Sequence, residues 1–270
     1  MIEILQKLNN VIILPVEKPS VIIVNTDMFG ELGLGNIGNK TINAIITDFP
    51  YGTLNKRNIW DKVIDYEEFW RQAKRIGIGH VPTISTAQMP FTAVLVSTNY
   101  KDFKYTLVWE KSKATGYLNA KKQPMRAHED IVVFYSGQCL YNPQMRNGEP
   151  YDKGKAIRDT EAYGIQTKAI HVKSETGMRY PRSVQYFKTA EGEGKYHPTQ
   201  KPIELFEWLV KTYTNKGDTI LDPCMGSGTT AIAAIKNERK FIGFEKNTKY
   251  FQSAKERIGI ELLSFQTRLL

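Results

Sequence analysis

The stretch "TILDPCMGSGTTAIAAIKNERKFIGFE", residues 219–245, combines the signals of a strand, a glycine turn, a helix and a second strand. "TILDP" (219–223) and "KFIGFE" (240–245) are apolar runs of strand length, and "SGTTAIAAIKN" (227–237) has helical composition. A strand that returns through a helix to another strand builds a parallel sheet. The stretch therefore predicts an α/β fold.

Most of the remaining chain repeats this alternation. Strands are predicted at 21–27, 41–48, 91–98, 104–111 and 130–136, and helices at 66–77, 202–214 and 248–258. Pro202 suits the first position of its helix. Between about 137 and 195 the apolar periodicity fades. We therefore predict a doubly wound, mostly parallel sheet formed by residues 1–136 and 196–270, with an insertion or small second lobe at 137–195.

The composition limits the class of protein. A formal net charge of +9, with a pI near 9.3, favours a polyanion such as nucleic acid as partner, although plain solubility is the alternative. No apolar run approaches the roughly 18 residues that cross a bilayer, and no secretory cleavage site is recognised. Cys139 and Cys224 lack metal-type spacing. We expect no membrane association, no metal site and a reducing, cytoplasmic location.

The glycine turn of the opening stretch predicts a nucleotide-type cofactor. Gly226 and Gly228 allow close backbone approach at the N-terminus of the following helix. Glu245 ends the next strand, at a spacing that suits a carboxylate reaching a ribose diol. A glycine pair without a ligand is the alternative.

The charges near this turn indicate which cofactor it takes. Asp222 lies at the mouth of the turn, where an acid would repel a pyrophosphate. The turn also lacks the Lys-Ser/Thr pair that ends a P-loop. An adenosine-bearing cofactor with cationic groups fits better, as in S-adenosylmethionine. Acids end two further predicted strands, at Asp27 and Asp48.

A second glycine pattern is interpreted differently. "GLGNIG" (33–38) matches Gly-x-Gly-x-x-Gly, but the strand "TINAIITD" (41–48) follows it instead of a helix. Because a dinucleotide fingerprint needs that helix, we predict a loop here.

Several short motifs resemble those of one enzyme family. Asp48-Phe49-Pro50-Tyr51 resembles motif IV of the amino-group DNA methyltransferases, usually Asp-Pro-Pro-Tyr, Asn-Pro-Pro-Tyr or Ser-Pro-Pro-Tyr. "DPCMGSGTT" (222–230) is similar to motif I, "FIGFEKN" (241–247) to motif II and "HPTQKP" (197–202) to motif X. Residues 109–135 are similar to the segments that follow motif IV. The catalytic motif precedes the cofactor motif, as in the permuted β group, where the target-recognition region lies between them.

The resemblance implies catalytic roles for Asp48, Phe49, Pro50 and Tyr51. An exocyclic amine conjugated with its ring is a weak nucleophile, and two acceptors against its N–H bonds would free its lone pair. Asp48 supplies one acceptor and the Phe49 carbonyl the other, pointed by the restriction that Pro50 imposes. Tyr51 offers a face for a base rotated out of the duplex. Phe49 departs from the family, which has proline at that position.

The resemblance also implies the fold of an S-adenosylmethionine-dependent methyltransferase, with residues 1–136 as the catalytic half, 137–195 as the target-recognition insertion and 196–270 as the cofactor half. The residues expected around the cofactor are Asp27, His197, Lys201, Asp222, Pro223, Gly226, Ser227, Gly228, Thr229 and Glu245. For Asp27, a simple turn acid is an equal alternative.

The implied reaction is methylation of the N6 of a flipped adenine in double-stranded DNA, because an acid at the first motif position goes with adenine. The alternatives are cytosine N4 methylation and a nucleic-acid-binding protein of the same fold that does not methylate. Basic stretches at 121–130 and 178–188 could contact phosphates and base edges, with a solvated surface as the alternative. A homodimer and a partner restriction endonuclease are compatible with the resemblance.

Overall fold

A computed structural model describes residues 11–14, 20–52, 63–156, 169–194 and 196–269. The strands are β1 Val11–Leu14, β2 Val21–Val24, β3 Ala44–Thr47, β4 Thr83–Ala87, β5 Phe103–Thr115, β6 Arg126–Phe134, β7 Tyr151–Ala156, β8 Ile170–Ser174, β9 Val184–Phe187, β10 Thr219–Asp222 and β11 Lys240–Phe244. The helices are α1 Tyr66–Ile76, α2 Phe91–Thr98, α3 Ile203–Tyr213, α4 Thr229–Lys236 and α5 Thr248–Leu269.

One nine-stranded sheet dominates, in the order β1-β2-β11-β10-β3-β4-β6-β5-β9. The neighbours from β2 to β4 run parallel, and β9 runs parallel to β5. Antiparallel pairs join β1 to β2 and β6 to both of its neighbours. The prediction of a mostly parallel sheet is therefore confirmed.

Helices cover both faces of this sheet. Along β3, Ala44 and Ile46 belong to one core cluster and Ile45 to another, because successive strand residues point to opposite faces. The first cluster contains apolar residues of α3, α4 and α5, and the second contains those of α1 and α2. Since β3 is buried along its whole length, its sequence is continuously apolar rather than alternating. The predicted doubly wound arrangement is thus confirmed.

The connections reverse direction between two adjacent strands. From β10 the chain passes through α4 to β11 on one side, and from β3 it passes through α1 to β4 on the other. Between β10 and β3 lies a topological switch point, where open α/β sheets bind ligands beyond the carboxyl ends of their strands.

Local signals set several element ends. Asp65 caps α1 by accepting a hydrogen bond from the Glu68 amide at 3.0 Å. Pro202 occupies the N-cap position of α3, and Ile203 is the first helical residue, one later than predicted. Helix α5 continues to Leu269, beyond the predicted end at 258. The "GLGNIG" segment contains only a 3-10 turn, Leu34–Asn36, before β3, as expected of a loop.

The prediction of a strand at 91–98 was wrong, because this segment is helix α2. Its buried residues Phe91 and Leu95 have the i, i+4 spacing of a helix, whereas Val94 is exposed. A short apolar run does not distinguish a buried strand from a helix. The strand in this part of the chain is β4, whose sequence "TISTA" is buried throughout and was missed because it is rich in hydroxyl residues.

A second compact unit covers residues 143–182, separate from the unit formed by 1–142 and 183–270. It contains the antiparallel pair β7–β8 and a bridge between Arg146 and Arg179. Its limits lie inside the range 137–195, from which β9 is contributed to the main sheet. Within the described part of the chain, no helix is both long and apolar enough to cross a membrane.

Candidate active site

A large cavity, about 1270 Å³ in volume, opens at the carboxyl edge of the central strands. Its lining includes the four acids that follow or end β2, β3, β10 and β11, namely Asp27, Asp48, Asp222 and Glu245. Parallel strands bring these ends to one edge of the sheet, which explains why acids far apart in the chain meet here. Of the predicted site residues, all except Gly228 line this cavity.

The two glycines of the turn have different surroundings. Gly226 has a φ of +53°, and a Cβ added there would have only the His197 ring within reach, at 3.9 Å. Gly228 has a φ of +80°, and its added Cβ would lie 3.1 Å from Ile258 of α5. Gly226 therefore leaves room beside the cavity, whereas Gly228 allows close packing of α4 against α5.

Glu245 closes the glycine turn from the neighbouring strand. Its Oε2 accepts a hydrogen bond from the Gly226 amide at 3.0 Å, and Oε1 accepts one from the Asn247 amide at 2.7 Å. Burial raises the pKa of the Glu245 carboxyl, opposed by these two amide hydrogen bonds. Each oxygen keeps a lone pair, so the carboxylate can accept hydrogen bonds from hydroxyl groups of a ligand in the cavity.

Asp222 is more buried than the sequence suggests. Only 2% of the residue is exposed, and its oxygens accept hydrogen bonds from the Thr47 hydroxyl at 2.7 Å, the Thr230 hydroxyl at 2.5 Å and the Cys224 amide at 3.0 Å. Burial raises its pKa to about 6. These contacts tie the end of β10 to β3 and α4, so Asp222 fixes the shape of the turn.

Asp48 sits in a set of hydrogen bonds at the end of β3. Its Oδ1 accepts bonds from the hydroxyls of Tyr51, at 3.1 Å, and Thr86. Its Oδ2 accepts a charged hydrogen bond from Lys201 Nζ at 2.6 Å. Four lone pairs are available on a carboxylate, so the residues that the structure describes leave one on Oδ2 for a ligand.

The Phe49 ring anchors the loop that follows Asp48. The residue is 1% exposed, and its ring makes edge-to-face contacts with Tyr66 and Phe69 at centroid distances of 5.7 and 4.9 Å. The ring is turned into the core, and the residue also lines the cavity. Phe49 is therefore held by core packing at the position where the family motif has proline.

Tyr51 completes the motif on the cavity side. Its ring stacks on Phe91 of α2, with centroids 4.7 Å apart and an interplanar angle of 18°. The Lys201 ammonium lies 5.4 Å from the ring centroid. Burial, followed by the charges of Asp48 and Glu129, raises the pKa of Tyr51 well above its ordinary value. The Tyr51 phenol is therefore neutral, and its ring is held by Phe91 and Lys201.

His197 and Asp27 border the cavity at its edges. The centroids of the His197 and Tyr250 rings lie 4.2 Å apart, and His197 Nδ1 lies 3.1 Å from the Thr199 hydroxyl. Burial lowers the pKa of His197 to about 4, so the imidazole is neutral at physiological pH. Asp27 is exposed and accepts a hydrogen bond from the Phe29 amide at 3.1 Å, a turn contact that is compatible with either predicted role.

Lys201 joins the two predicted halves of the site. Its ammonium contacts Asp48, while its backbone carbonyl accepts a hydrogen bond from the Thr229 hydroxyl at 3.4 Å. The prediction placed Lys201 only beside the cofactor. Its contact with the catalytic motif was not foreseen, because the two residues are 153 positions apart.

Sequence reasoning missed several residues of the site. Glu129 of β6 and Lys111 of β5 form a buried ion pair at 2.6 Å that adjoins Lys201. Arg257 of α5 donates to the Ser227 carbonyl at 3.2 Å and to the Thr229 hydroxyl at 3.1 Å, and thus supports the glycine turn from behind. The sequence does not show that these residues are buried, and charged residues in a basic chain are usually expected on the solvated surface. Among the described residues, no His, Cys, Asp and Glu group is arranged to hold a metal ion.

Comparisons with known proteins give a consistent result. Residues 42–256 match the N6/N4 DNA methylase family. The type II methyltransferase M2.LlaDCHI of Lactococcus lactis subsp. cremoris is 26% identical over 90% of this chain and 91% of its own length. The DNA adenine methyltransferase YhdJ of Escherichia coli K12 is 28% identical over 88% of this chain and 82% of its own length.

A solved structure has the same fold. The M1.HpyAVI–SAM complex superposes with a TM-score of 0.60 and 24% sequence identity, covering 88% of this chain and 99% of the other.

Proposed function

The chain belongs to the N6/N4 DNA methylase family and is a DNA methyltransferase, and on this premise we propose that it methylates the N6 of adenine in double-stranded DNA. One observation carries the proposal: a carboxylate with one unused lone pair lies in the same cavity as the glycine turn. The donor that we propose is S-adenosylmethionine, and the acceptor is a base rotated out of the duplex.

The residues around the glycine turn fit this donor. The open space beside Gly226 admits a ligand against the backbone, and the Glu245 carboxylate at the same turn suits a ribose diol. The acids Asp27 and Asp222 disfavour a phosphate and suit a ligand with ammonium and sulfonium groups. When bound, S-adenosylmethionine supplies a methyl group on a positively charged sulfur. The protein that superposes on this chain was crystallised with that compound.

The remaining predicted residues form the frame of the same pocket. His197, Pro223, Ser227 and Thr229 line it, while Gly228 acts from behind by letting α4 and α5 approach. A neutral His197 adds no positive charge that would repel the cationic donor. Lys201 borders this region through its carbonyl.

Asp48 and the Phe49 carbonyl activate the target amine. The free lone pair on Asp48 Oδ2 accepts a hydrogen bond from one N–H of the amine, and the Phe49 carbonyl accepts a hydrogen bond from the other. These two bonds favour a pyramidal nitrogen with an available electron pair. The nitrogen then forms a bond to the methyl carbon as the carbon–sulfur bond breaks. The surplus amine proton passes to Asp48 Oδ2 and on to solvent. Fixed acceptors of this kind act on charge that develops in the transition state.

Tyr51 positions the base. One face of its ring is occupied by Phe91, so the base would stack on the face that borders the cavity. Stacking on a ring held by packing costs little additional ordering when the base arrives. Pro50, in the cavity wall between Phe49 and Tyr51, keeps the loop extended.

Adenine is favoured over cytosine for two reasons. An acid stands at the first position of the catalytic motif, which by family resemblance goes with adenine N6. In addition, a relative that matches most of the chain is named as a DNA adenine methyltransferase. The runner-up product is N4-methylcytosine.

The unit at 143–182 is our candidate for reading the target sequence. Its described part carries more basic than acidic side chains, and Tyr180 and Ile170 are well exposed. Basic residues supply affinity for phosphates, and neighbouring polar and aromatic side chains can contact base edges. A homodimer, a partner restriction endonuclease and a cytoplasmic location stay predictions.

Product analysis tests the proposal. The protein is incubated with unmodified genomic DNA and S-adenosylmethionine, and the DNA is digested to nucleosides for mass spectrometry, with long-read sequencing to map the sites. N6-methyladenine at one recurrent sequence is expected. If N4-methylcytosine is the only methylated base found, the target of the enzyme is cytosine and not adenine. If folded protein produces neither N6-methyladenine nor N4-methylcytosine, the proposed function is contradicted.

A further inference from the structure

Three charged side chains continue the contacts of Asp48 along the wall of the cavity. Lys201 Nζ lies 2.6 Å from Asp48 Oδ2 and 3.6 Å from Glu129 Oε2. Glu129 Oε1 in turn lies 2.6 Å from Lys111 Nζ. The charges alternate in sign along this row, which we call the charged row. It draws on β3, β5, β6 and the segment before α3.

The charged row is held away from water. The side chains of Lys201, Glu129 and Lys111 are 9%, 13% and 4% exposed. Burial lowers the pKa of Lys201, but the Asp48 and Glu129 carboxylates outweigh burial and raise it. Burial raises the pKa of Glu129, but Lys201 and Lys111 outweigh it and lower the pKa. Lys201 and Glu129 are therefore charged at neutral pH.

Building such a row is costly, which argues against a purely structural role. Replacing a buried ion pair with apolar side chains of similar volume is often neutral or stabilising. A row of alternating charges that touches the proposed catalytic carboxylate is better explained by what it does to that carboxylate. Its effect is visible in the hydrogen bonds of Asp48.

Lys201 determines which lone pair of Asp48 is left for substrate. Tyr51 and Thr86 occupy Oδ1, and Lys201 occupies one side of Oδ2. These donors come from three separate elements, so the carboxylate cannot rotate without losing one of them. The remaining acceptor therefore has a fixed direction, as a catalytic hydrogen bond requires.

We propose that Lys201 and Glu129 are positioning residues for methyl transfer, with Lys201 orienting Asp48 and Glu129 neutralising the effect of the Lys201 charge. The inference rests on the proposed function and assigns Lys201 a role beyond bordering the cofactor.

Glu129 is required because Lys201 alone would oppose the reaction. The attacking amine becomes cationic as the methyl group transfers, and an unbalanced ammonium beside Asp48 would repel it. A second carboxylate on the same ammonium offsets this repulsion. Glu129 Oε2 also lies 3.4 Å from the Tyr51 hydroxyl, whose single proton can be donated to either Asp48 or Glu129.

Four variants test the proposal: Lys201→Met, Lys201→Arg, Glu129→Gln and the double variant Lys201→Met/Glu129→Gln. Lys216→Met is the matched control, because it removes a lysine from an exposed ion pair with Glu238. Single-turnover methylation rates are compared with S-adenosylmethionine affinity, DNA affinity and thermal unfolding, so that chemistry is separated from binding and folding.

Lys201→Met is expected to slow single-turnover methylation about 100-fold, the usual effect of misplacing a catalytic group by about 1 Å. Both dissociation constants should stay within about threefold of wild type. Lys201→Arg should recover at least about tenfold of the loss. In the double variant, the change in rate should differ from the product of the two single effects, because such coupling marks a direct interaction.

The pH profile supplies a readout that a structural role would not move. Lys201→Met removes a cation that stabilises the ionised carboxylates of the charged row, so the acidic limb of the rate profile should move to higher pH. Lys111 still faces Glu129 in this variant. The other titratable groups that face Asp48 are Tyr51, His197, Asp222 and Cys224, and all are unchanged in the variant.

Several results would overturn the inference. A Lys201→Met protein that methylates at the wild-type rate with an unmoved acidic limb would do so. Loss of S-adenosylmethionine affinity with an unchanged single-turnover rate would make Lys201 a cofactor residue instead. If Lys201→Met unfolds, Glu129→Gln carries the test, and a wild-type rate with an unmoved acidic limb in that variant would contradict the proposal. Failure of the wild type to methylate DNA would instead contradict the proposed function.

Discussion

Phe49 offers a quantitative test of how the catalytic loop is held. The family motif has proline at this position, whereas here an aromatic ring is buried against Tyr66 and Phe69. If packing replaces the proline restraint, then Phe49→Ala should lower both stability and the rate of methyl transfer. Phe49→Leu keeps an apolar side chain in the core and should have smaller effects.

The magnitude follows from the burial. Truncating a fully buried phenylalanine to alanine costs about 3–5 kcal/mol, including the cavity that remains. Edge-to-face aromatic contacts contribute about 0.5–1.5 kcal/mol each beyond buried area, and Phe49 makes two. For a chain of this size, each kcal/mol shifts the melting temperature by about 2–4 °C. We expect a decrease of about 6–20 °C for Phe49→Ala.

The assay pairs thermal or urea unfolding with single-turnover methylation well below the melting temperature. The matched control is Phe134→Ala, a ring that is also 1% exposed but lies at the end of β6 that pairs with the start of β4, away from the cavity. Both variants should lose similar stability. Only Phe49→Ala should also lose about 10–100-fold in rate, because its loop carries Asp48.

Two outcomes would refute this reasoning. A Phe49→Ala protein within about 1 kcal/mol of wild-type stability would show that the ring contributes little to the core. A wild-type rate in a destabilised Phe49→Ala protein would show that packing does not set the position of Asp48.

Three further predictions concern the cofactor turn. Glu245→Gln should raise the S-adenosylmethionine dissociation constant about 10–100-fold in a binding titration, because a charge-assisted hydrogen bond is lost. An unchanged dissociation constant would contradict the assignment of Glu245 to the ribose. Alanine at Gly226 or Gly228 should cost stability in urea because both residues have a positive φ, and Gly228→Ala should cost more, about 1–3 kcal/mol, because of the added Ile258 contact. Gly226→Ala should in addition weaken cofactor binding, whereas equal effects of the two variants on stability and on binding would contradict their different surroundings. Asp222, with a pKa raised to about 6, binds its proton more tightly in the folded than in the unfolded protein. Stability should therefore increase by about 3 kcal/mol relative to Asp222→Asn as the pH falls from about 7 to about 3. Parallel pH–stability curves for the two proteins would contradict the raised pKa.

Local patterns made part of this architecture predictable. The glycine turn, the acids at strand ends and the apolar parallel strands all depend on residues close in sequence, so their signals survive without knowledge of the fold. Asp48 and Glu245 were identified because each directly ends a strand-like run. Family resemblance added the roles of these residues.

The contacts that organise the site were not predictable in this way. The Lys201–Asp48 pair joins residues 153 positions apart, and Glu129 reaches Tyr51 across 78 positions. Neither contact leaves a local periodicity. The helix at 91–98 and the strand β4 were misassigned or missed for a related reason, because tertiary burial decided which segment enters the sheet.

The central claim is that Asp48 acts on the target amine and not on the donor. The most direct test measures Asp48→Ala by single-turnover methylation of DNA alongside S-adenosylmethionine titration. We predict a rate lower by about 1000-fold or more, with a dissociation constant within about threefold of wild type. Methylation by Asp48→Ala at the wild-type rate would contradict the claim.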